Sequence, residues 1–510
     1  MKKHLLVSAP LRPVLTVLFV VGTTLLGCTR PPASSATTAT AAPTDPPAFA
    51  AIREDELRQD LFELASDSLR GRRAGTADEL RAAVWVAERA RQIGLEPAGD
   101  DGTYFQFYPL RRLTVAASTR LQINGQPVAL WQQAWVTAPI EARLDAPVTW
   151  LSALADTART SLRGKVVAMT LLPPRPLPAP KMSLWGFRYI MAALNQQTAV
   201  LRRQGVAGIL LVADNTAEPQ LGFVGHRYQD GVYQLPAMAT AAPTVPVLLL
   251  RQAAGAPLQT GKARVKADLD LNTFIYPSVN VIARAPGTDA ALRQENVLFS
   301  GHHDHDGIGD PVAGDSIWNG ADDNATVSVA VLAIGRAWKQ RPGQRSALFV
   351  WHGAEERGLL GSRWYAQHPT VPKTSIVAVL NADMIGRNAP DSAALLGSTG
   401  PHRNSTALVD MALQANRQFA KFVIDTSWDD PKHPEGWYFR SDHVPYVRAG
   451  IPALFFTTLL HPDYHTPRDE ASRIDITKLA RMTRWMYATG WAVSNTPQRV
   501  TVDPGAKLER

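Results

Sequence analysis

Four runs in the second half of the chain are apolar without alternation, three throughout and one after its first residue: Asn296-Val297-Leu298-Phe299, Ala347-Leu348-Phe349-Val350, Ile376-Val377-Ala378-Val379-Leu380 and Ala453-Leu454-Phe455-Phe456. Strands with one solvated face alternate apolar and polar residues. Strands that do not alternate must be covered on both faces. Helical patterns lie between these runs, so the predicted fold is α/β, a mostly parallel sheet flanked by helices in three layers. In such sheets ligands collect beyond the carboxyl ends of the strands. The residues at those ends are Gly301-His302-His303-Asp304-His305, Glu355-Glu356, Asn381-Ala382-Asp383-Met384 and, after the fourth run, Asp463-Tyr464-His465-Thr466. Between the first two runs lies Asn319-Gly320-Ala321-Asp322-Asp323-Asn324-Ala325, followed by an apolar helical stretch over 327–338.

Imidazole nitrogen and carboxylate oxygen are the ligands zinc accepts, and packing alone does not deliver them repeatedly to one sheet edge. The adjacent Glu355 and Glu356 sharpen the point. By itself such a pair belongs on a solvated loop. Neighbouring side chains on an extended segment point different ways, so here one glutamate can bind metal while the other handles a proton.

The ordered pieces His302-x-Asp304, Gly320-Ala321-Asp322-Asp323-Asn324, Glu355-Glu356-x-Gly358, Asp383-Met384, Ser441-Asp442-His443 and Tyr464-His465-Thr466 resemble the dizinc exopeptidases that include bacterial leucyl aminopeptidases, aminopeptidase S and glutamate carboxypeptidase. The resemblance spans residues 278–494. It implies two zinc ions, with His302 and Asp383 on one, Glu356 and His465 on the other, and Asp323 bridging them. It makes Glu355 the general base toward a hydroxide shared by the two ions. Tyr438 matches a position that donates to the oxyanion in some relatives, although between Trp437 and Phe439 it also suits a hydrophobic wall. Asp304, on the same side of an extended segment as His302, is expected to accept that ring's other N–H. Asp442 is expected to organise the ligands from behind. His303 and His305 stand close enough to substitute for His302, and only the family register prefers Asp323 over Asp322. His352 and His461 are read as core or surface residues.

The rest of the 510-residue chain fits this assignment. Lys2 and Lys3, an apolar run from Val14 to Leu26 and Leu25-Leu26-Gly27-Cys28 read as a lipoprotein signal over 1–28. The only cysteine, Cys28, becomes the lipidated anchor and leaves none for a disulfide. The expected location is the cell envelope, periplasm-facing or on the outer membrane. Residues 29–50, rich in Ala, Thr and Pro, read as a flexible tether. Residues 51–113 form the first part of the peptidase domain, where Thr76-Ala77-Asp78-Glu79 opens a helix carrying Leu80, Val84 and Ala87 on one face, and Gly94 ends it. Residues 114–272, with short β-rich runs and proline-rich connections, resemble an inserted protease-associated domain, expected to cap the site and filter substrate size. Residues 273–498 complete the dizinc domain and 499–510 are a tail. The net charge of +8 is spread without a dense basic block, which argues against a nucleic-acid partner.

The function expected is an exported, membrane-anchored zinc aminopeptidase acting on peptides, with no protein partner. A carboxypeptidase or dipeptidase would use the same dizinc chemistry with an added basic clamp for the terminal carboxylate, for which Arg387, Arg440 and Arg468 are candidates. A non-catalytic, transferrin-receptor-like binding protein would require lost ligands, and none is missing. A single-zinc glutaminyl cyclase is disfavoured because both metal sets are present.

Overall fold

The computed structural model describes residues 48–507, apart from 159 and 239–243. The signal, Cys28 and almost all of the tether therefore lie outside the described residues. Among the described residues no helix is long and apolar enough to cross a membrane.

The four apolar runs become the centre of a 10-stranded sheet as the strands Asn296–His302, Ser346–His352, Ile376–Ala382 and Ala453–Thr457. They are parallel to one another, and every residue of each is buried. Antiparallel strands continue the sheet on both sides, so the complete sheet is mixed. On one face Phe299, Phe349 and Trp351 pack against Trp338 and Trp485 from the helices Thr326–Gln340 and Ile476–Asn495. The opposite face buries Leu298, Leu348 and Val350 against Tyr365 and Tyr446.

A second sheet of eight strands, drawn from residues 120–269, has its own apolar clusters around Val167, Ile209 and Leu249 and around Leu144, Leu210 and Val265. It is reached through one antiparallel ribbon of the main sheet, along whose edge Val232–Gln234 of the same region adds a further strand. Phe105–Val115 and Leu271–Ala285 pair from Val115↔Leu271 to Phe105↔Val281, and residues 116–270 run between them.

The helix Ala77–Ile93 starts and stops where its sequence signals stand. The Thr76 side chain accepts the N–H groups of Asp78 and Glu79, and Gly94 closes the last turn at φ 83°. Of the expected face, Ala87 is buried but Leu80 and Val84 are not. Ala82, Ala83, Val86 and Ala90 pack inward, while Leu80 and Val84 are 43% and 50% exposed. Alanines let this helix approach Thr326–Gln340 closely, and the larger side chains turn to solvent beside Trp85.

Candidate metal centre

The parallel strands deliver their end residues to one place. His302 is the last residue of its strand and fully buried. Its Nε2 stands 3.3 Å from Asp323 Oδ1, 3.6 Å from Asp383 Oδ2 and 3.8 Å from Glu355 Oε2. On the other side of Asp323, His465 Nε2 lies 3.1 Å from Asp323 Oδ2 and 3.2 Å from Glu356 Oε2. Asp323 thus turns one oxygen to each histidine. All five expected ligands and Glu355 converge, with the two glutamates divided between the two histidines.

Two loops hold this arrangement by the same device. Past His352 the chain turns through Gly353, where a Cβ would stand 2.5 Å from both Glu79 Oε1 and Val279 O, and through Ala354 at φ 51°. The Asp304 carboxylate then accepts the N–H of Glu355 at 3.0 Å and of Glu356 at 3.3 Å. The expectation that this carboxylate serves the His302 ring needs correction. The ring's Nδ1 lies 3.1 Å from the Asp304 backbone oxygen and 3.7 Å from Oδ1, because the carboxylate is committed to the two amides. Asp469 does the corresponding work for the aspartate loop, accepting N–H groups from Asp322 at 3.0 Å and Asp323 at 3.0 Å. Asp322 turns away from the histidines, its Oδ1 accepting the Gly386 N–H at 2.7 Å. His461 lies behind it, with Nε2 3.4 Å from Asp322 Oδ2.

Arg72 ties the N-terminal segment to both loops. Its fully buried guanidinium donates to the carbonyls of Leu64, His303, Asn319 and Gly320 at 2.6–3.0 Å. That hold turns His303 away from the centre, where burial and the Arg72 charge push its ring down to about 3. His352 faces the core through Tyr446 and Asn280. Asp442 is fully buried near His302 and Asp383. Burial and the repulsion of Asp304 and Asp383, against the pull of His302, raise its carboxyl to about 7.

Tyr438 is not at the centre. Its hydroxyl donates to the His402 carbonyl at 3.2 Å and its ring stacks on the His402 ring at 4.1 Å, inside the cluster of Met384, Leu396 and Phe455. The short helix Trp437–Phe439 offers alternate faces, and the apolar environment takes the tyrosine while Trp437 and Phe439 line the cavity. Tyr464 is the tyrosine that reaches it. Arg440 Nη2 donates to its hydroxyl at 2.8 Å. Its place directly before His465 was a usable signal for that role. The structure also adds His305, with Nδ1 2.8 Å from Glu356 Oε1, and Asp306, with Oδ2 3.0 Å from His465 Nδ1. The alternating His-x-His and Asp-x-Asp pattern over 302–306 carried that information without saying which residues face inward.

The electrostatics separate the two glutamates. Burial, opposed by His302 and reinforced by Glu356, Asp442 and Asp383, raises Glu355 well above the ordinary carboxylate range. Burial also acts on Glu356, but His465 and His305 hold it well below that range. Of the two acids Glu355 has the higher proton affinity, and Glu356 is held as its anion.

The residues fit divalent ions. His302 Nε2 and Asp383 Oδ1 are buried and make no hydrogen bond among the described residues. His302, Glu355 and Asp383 converge within ligand distance, as do His305, Asp323 and Glu356, and Asp306, Glu356 and His465. Buried nitrogen and carboxylate groups without partners are costly, and a cation between them removes that cost. The cavity above has a volume of about 270 Å³.

Residues 280–490 match the model of a family described as Peptidase family M28. A probable leucine aminopeptidase from Arthroderma benhamiae is 26% identical over 227 residues, which are 42% of this chain and 57% of that protein. This chain therefore spans little more than half of that relative's length. Among solved structures, an aminopeptidase from Aneurinibacillus sp. strain AM-1 superposes with a TM-score of 0.56 at 18% identity, covering 89% of this chain and 97% of that one. A zinc aminopeptidase from Bacillus subtilis does so with a TM-score of 0.56 at 17% identity, covering 89% and 99%. The resemblance drawn from the ordered motifs is borne out over residues 280–490, and the fold is shared across nearly the whole described chain.

Proposed function

We propose, for a chain whose residues 280–490 belong to peptidase family M28, that it is a zinc-dependent exopeptidase acting on peptide termini, in the first place an aminopeptidase. The observation that carries this reading is Asp323 set between His302 and His465, with Glu355 beside one and Glu356 beside the other. His302 and Asp383 would hold one zinc ion, Glu356 and His465 a second, with Asp323 shared. When bound, the ions would supply Lewis-acid polarisation of the scissile carbonyl and a lowered pKa for the attacking water.

The protein's own groups supply the rest. Glu355, kept from full solvation and with a raised proton affinity, takes the proton from the attacking water and returns it to the leaving amine nitrogen. Because Arg440 donates to the Tyr464 oxygen, the phenol hydrogen remains free to donate to the developing oxyanion. Trp437, Phe439, Leu184 and Leu359 give the cavity an apolar wall for a substrate side chain. Leu184 belongs to the 114–272 segment, which we read as a protease-associated domain capping the site.

The reading includes export and anchoring at the cell envelope through a lipid on Cys28, supported by Lys2, Lys3 and the apolar run before it. Metabolic labelling with a radioactive fatty acid tests it, and label retained in Cys28→Ser would refute it. The same five ligands argue against a non-catalytic binding protein. For the activity, prolonged dialysis against a chelator should abolish hydrolysis of a leucyl peptide, and zinc should restore it. Undiminished hydrolysis after metal removal would overturn the proposal.

A further inference from the structure

The arginines anticipated as a carboxylate clamp are already matched. Arg387 and Arg468 both bind Asp463, at 2.8 and 3.0 Å. Arg440 binds Glu435 at 3.1 Å and the Tyr464 hydroxyl, and lies over the Trp437 ring. Two other arginines line the same cavity, and no carboxylate among the described residues takes them: Arg227 and Arg363.

Arg227 comes from the helix Leu221–Asp230 of the second sheet's region. Its guanidinium lies over the Phe187 ring, and its one polar contact is Nη2 to His465 Nδ1 at 3.2 Å. That nitrogen also faces Asp306 Oδ2 at 3.0 Å. One ring nitrogen cannot accept from arginine and donate to aspartate at once. When His465 turns its Nε2 lone pair toward the ligand cluster, Nδ1 carries the hydrogen and gives it to Asp306. Arg227 then has no acceptor. Arg363 follows Ser362 on the helix Leu360–Gln367, and its buried Nε has no partner. The acids lining the cavity are Asp323, Glu355, Glu356 and Asp383, all engaged with the two histidines in the centre. With two divalent cations among those acids, the remaining charge around the cavity is positive.

We propose that Arg227 and Arg363 form a carboxylate subsite, so that the preferred substrates are short peptides bringing a free carboxylate into the cavity beside the cleaved bond. This inference rests on the exopeptidase reading above. A half-buried guanidinium with no carboxylate partner favours an anion, and arginine takes carboxylates with two parallel hydrogen bonds. The volume of about 270 Å³ sits at the small end of ligand cavities and suits a dipeptide. Burial and the nearby charge of Arg448 lower the pKa of Arg363, consistent with a cation that lacks an acid. The carboxylate has two possible sources, the C-terminus of a dipeptide or an acidic side chain.

The experiment compares kcat/KM of the zinc-loaded full chain on Leu-Ala, Leu-Ala amide, Leu-Glu amide and Leu-Gln amide. A preference of roughly tenfold or more for Leu-Ala over its amide identifies the C-terminal carboxylate, and the same preference for Leu-Glu amide over Leu-Gln amide identifies the side chain. Either preference should collapse in Arg227→Gln and in Arg363→Gln and return in Arg363→Lys. Equal rates within both pairs for the wild-type protein would overturn the subsite whatever the variants do, as would a preference that survives both glutamine variants. Absence of hydrolysis of all four peptides would overturn the exopeptidase reading and this inference with it.

Discussion

The Asp304 carboxylate accepts the backbone N–H groups of Glu355 and Glu356 together, at 3.0 and 3.3 Å, and so sets the loop from which the two acids diverge. It acts on the positions of both and on the chemistry of neither. In Asp304→Ala both amides lose their acceptor and the loop loses its alignment. We expect zinc affinity to fall about 10- to 100-fold, the range seen when supports behind metal ligands are removed. Competition titration against a chromophoric chelator measures it, and wild-type affinity would show that the loop stands without this support.

Glu355→Gln keeps the size of the side chain and removes its capacity to take a proton. The expected outcome is near-wild-type zinc content with kcat lower by roughly 10² to 10⁴. Near-normal turnover would mean that another group carries the proton.

The two tyrosines separate by readout. Tyr464→Phe should lower kcat by about 10-fold or more with little change in melting temperature, because Tyr464 lines the cavity and its oxygen accepts from Arg440. Tyr438→Phe removes a donor to the buried His402 carbonyl, and should cost about 1 kcal/mol of stability while leaving kcat in place. The reverse pattern would restore Tyr438 as the oxyanion donor.

Glu79 gives a pH signature away from the ligands. Burial, with repulsion from Asp304, raises its folded pKa to about 8 from the ordinary 4.5. A raised carboxyl contributes its full stability below pH 4.5, where both states are protonated, and loses it progressively as pH rises through 8. In Glu79→Gln the amide can donate to Ser278 Oγ and accept from the Gly75 N–H, the two groups Glu79 now contacts. The variant should therefore gain stability on the wild type between pH 4.5 and 8, with no further gain above. Urea midpoints across that range test it, and a constant difference would remove Glu79 as the source.

The strands and the ligand-bearing ends were legible in the sequence because apolar runs without alternation admit few arrangements, and three of the four led within a few residues to a histidine or an acid, the fourth to His465 across a short loop. The supports were not. Asp469 serves Asp323 across 146 residues, and Arg72 reaches Gly320 across 248, distances at which no local pattern survives. For Tyr438 the sequence left an oxyanion donor and a hydrophobic wall both open, and only the packing of its ring on His402 in the apolar cluster selects the second. Arg72 illustrates what is at stake in such supports. Arg72→Met should cost about 3 kcal/mol, since four buried carbonyls lose a charged donor, and thermal unfolding of the variant would reveal it.

The ribbon formed by Phe105–Val115 and Leu271–Ala285 bears on the order of assembly. Eleven consecutive pairs join segments separated by residues 116–270, so zipping them directly would require closing a very long loop before any contact repays its entropy. The strands Arg120–Ile123 and Arg264–Leu269 are paired just beyond the ribbon, inside the second sheet. Once that sheet has formed, the two halves of the ribbon emerge side by side, and closing the main sheet becomes a local event. The segment over 116–270, whose Leu184 and Arg227 line the cavity, thus also works as a clasp that brings the two halves of the ribbon together.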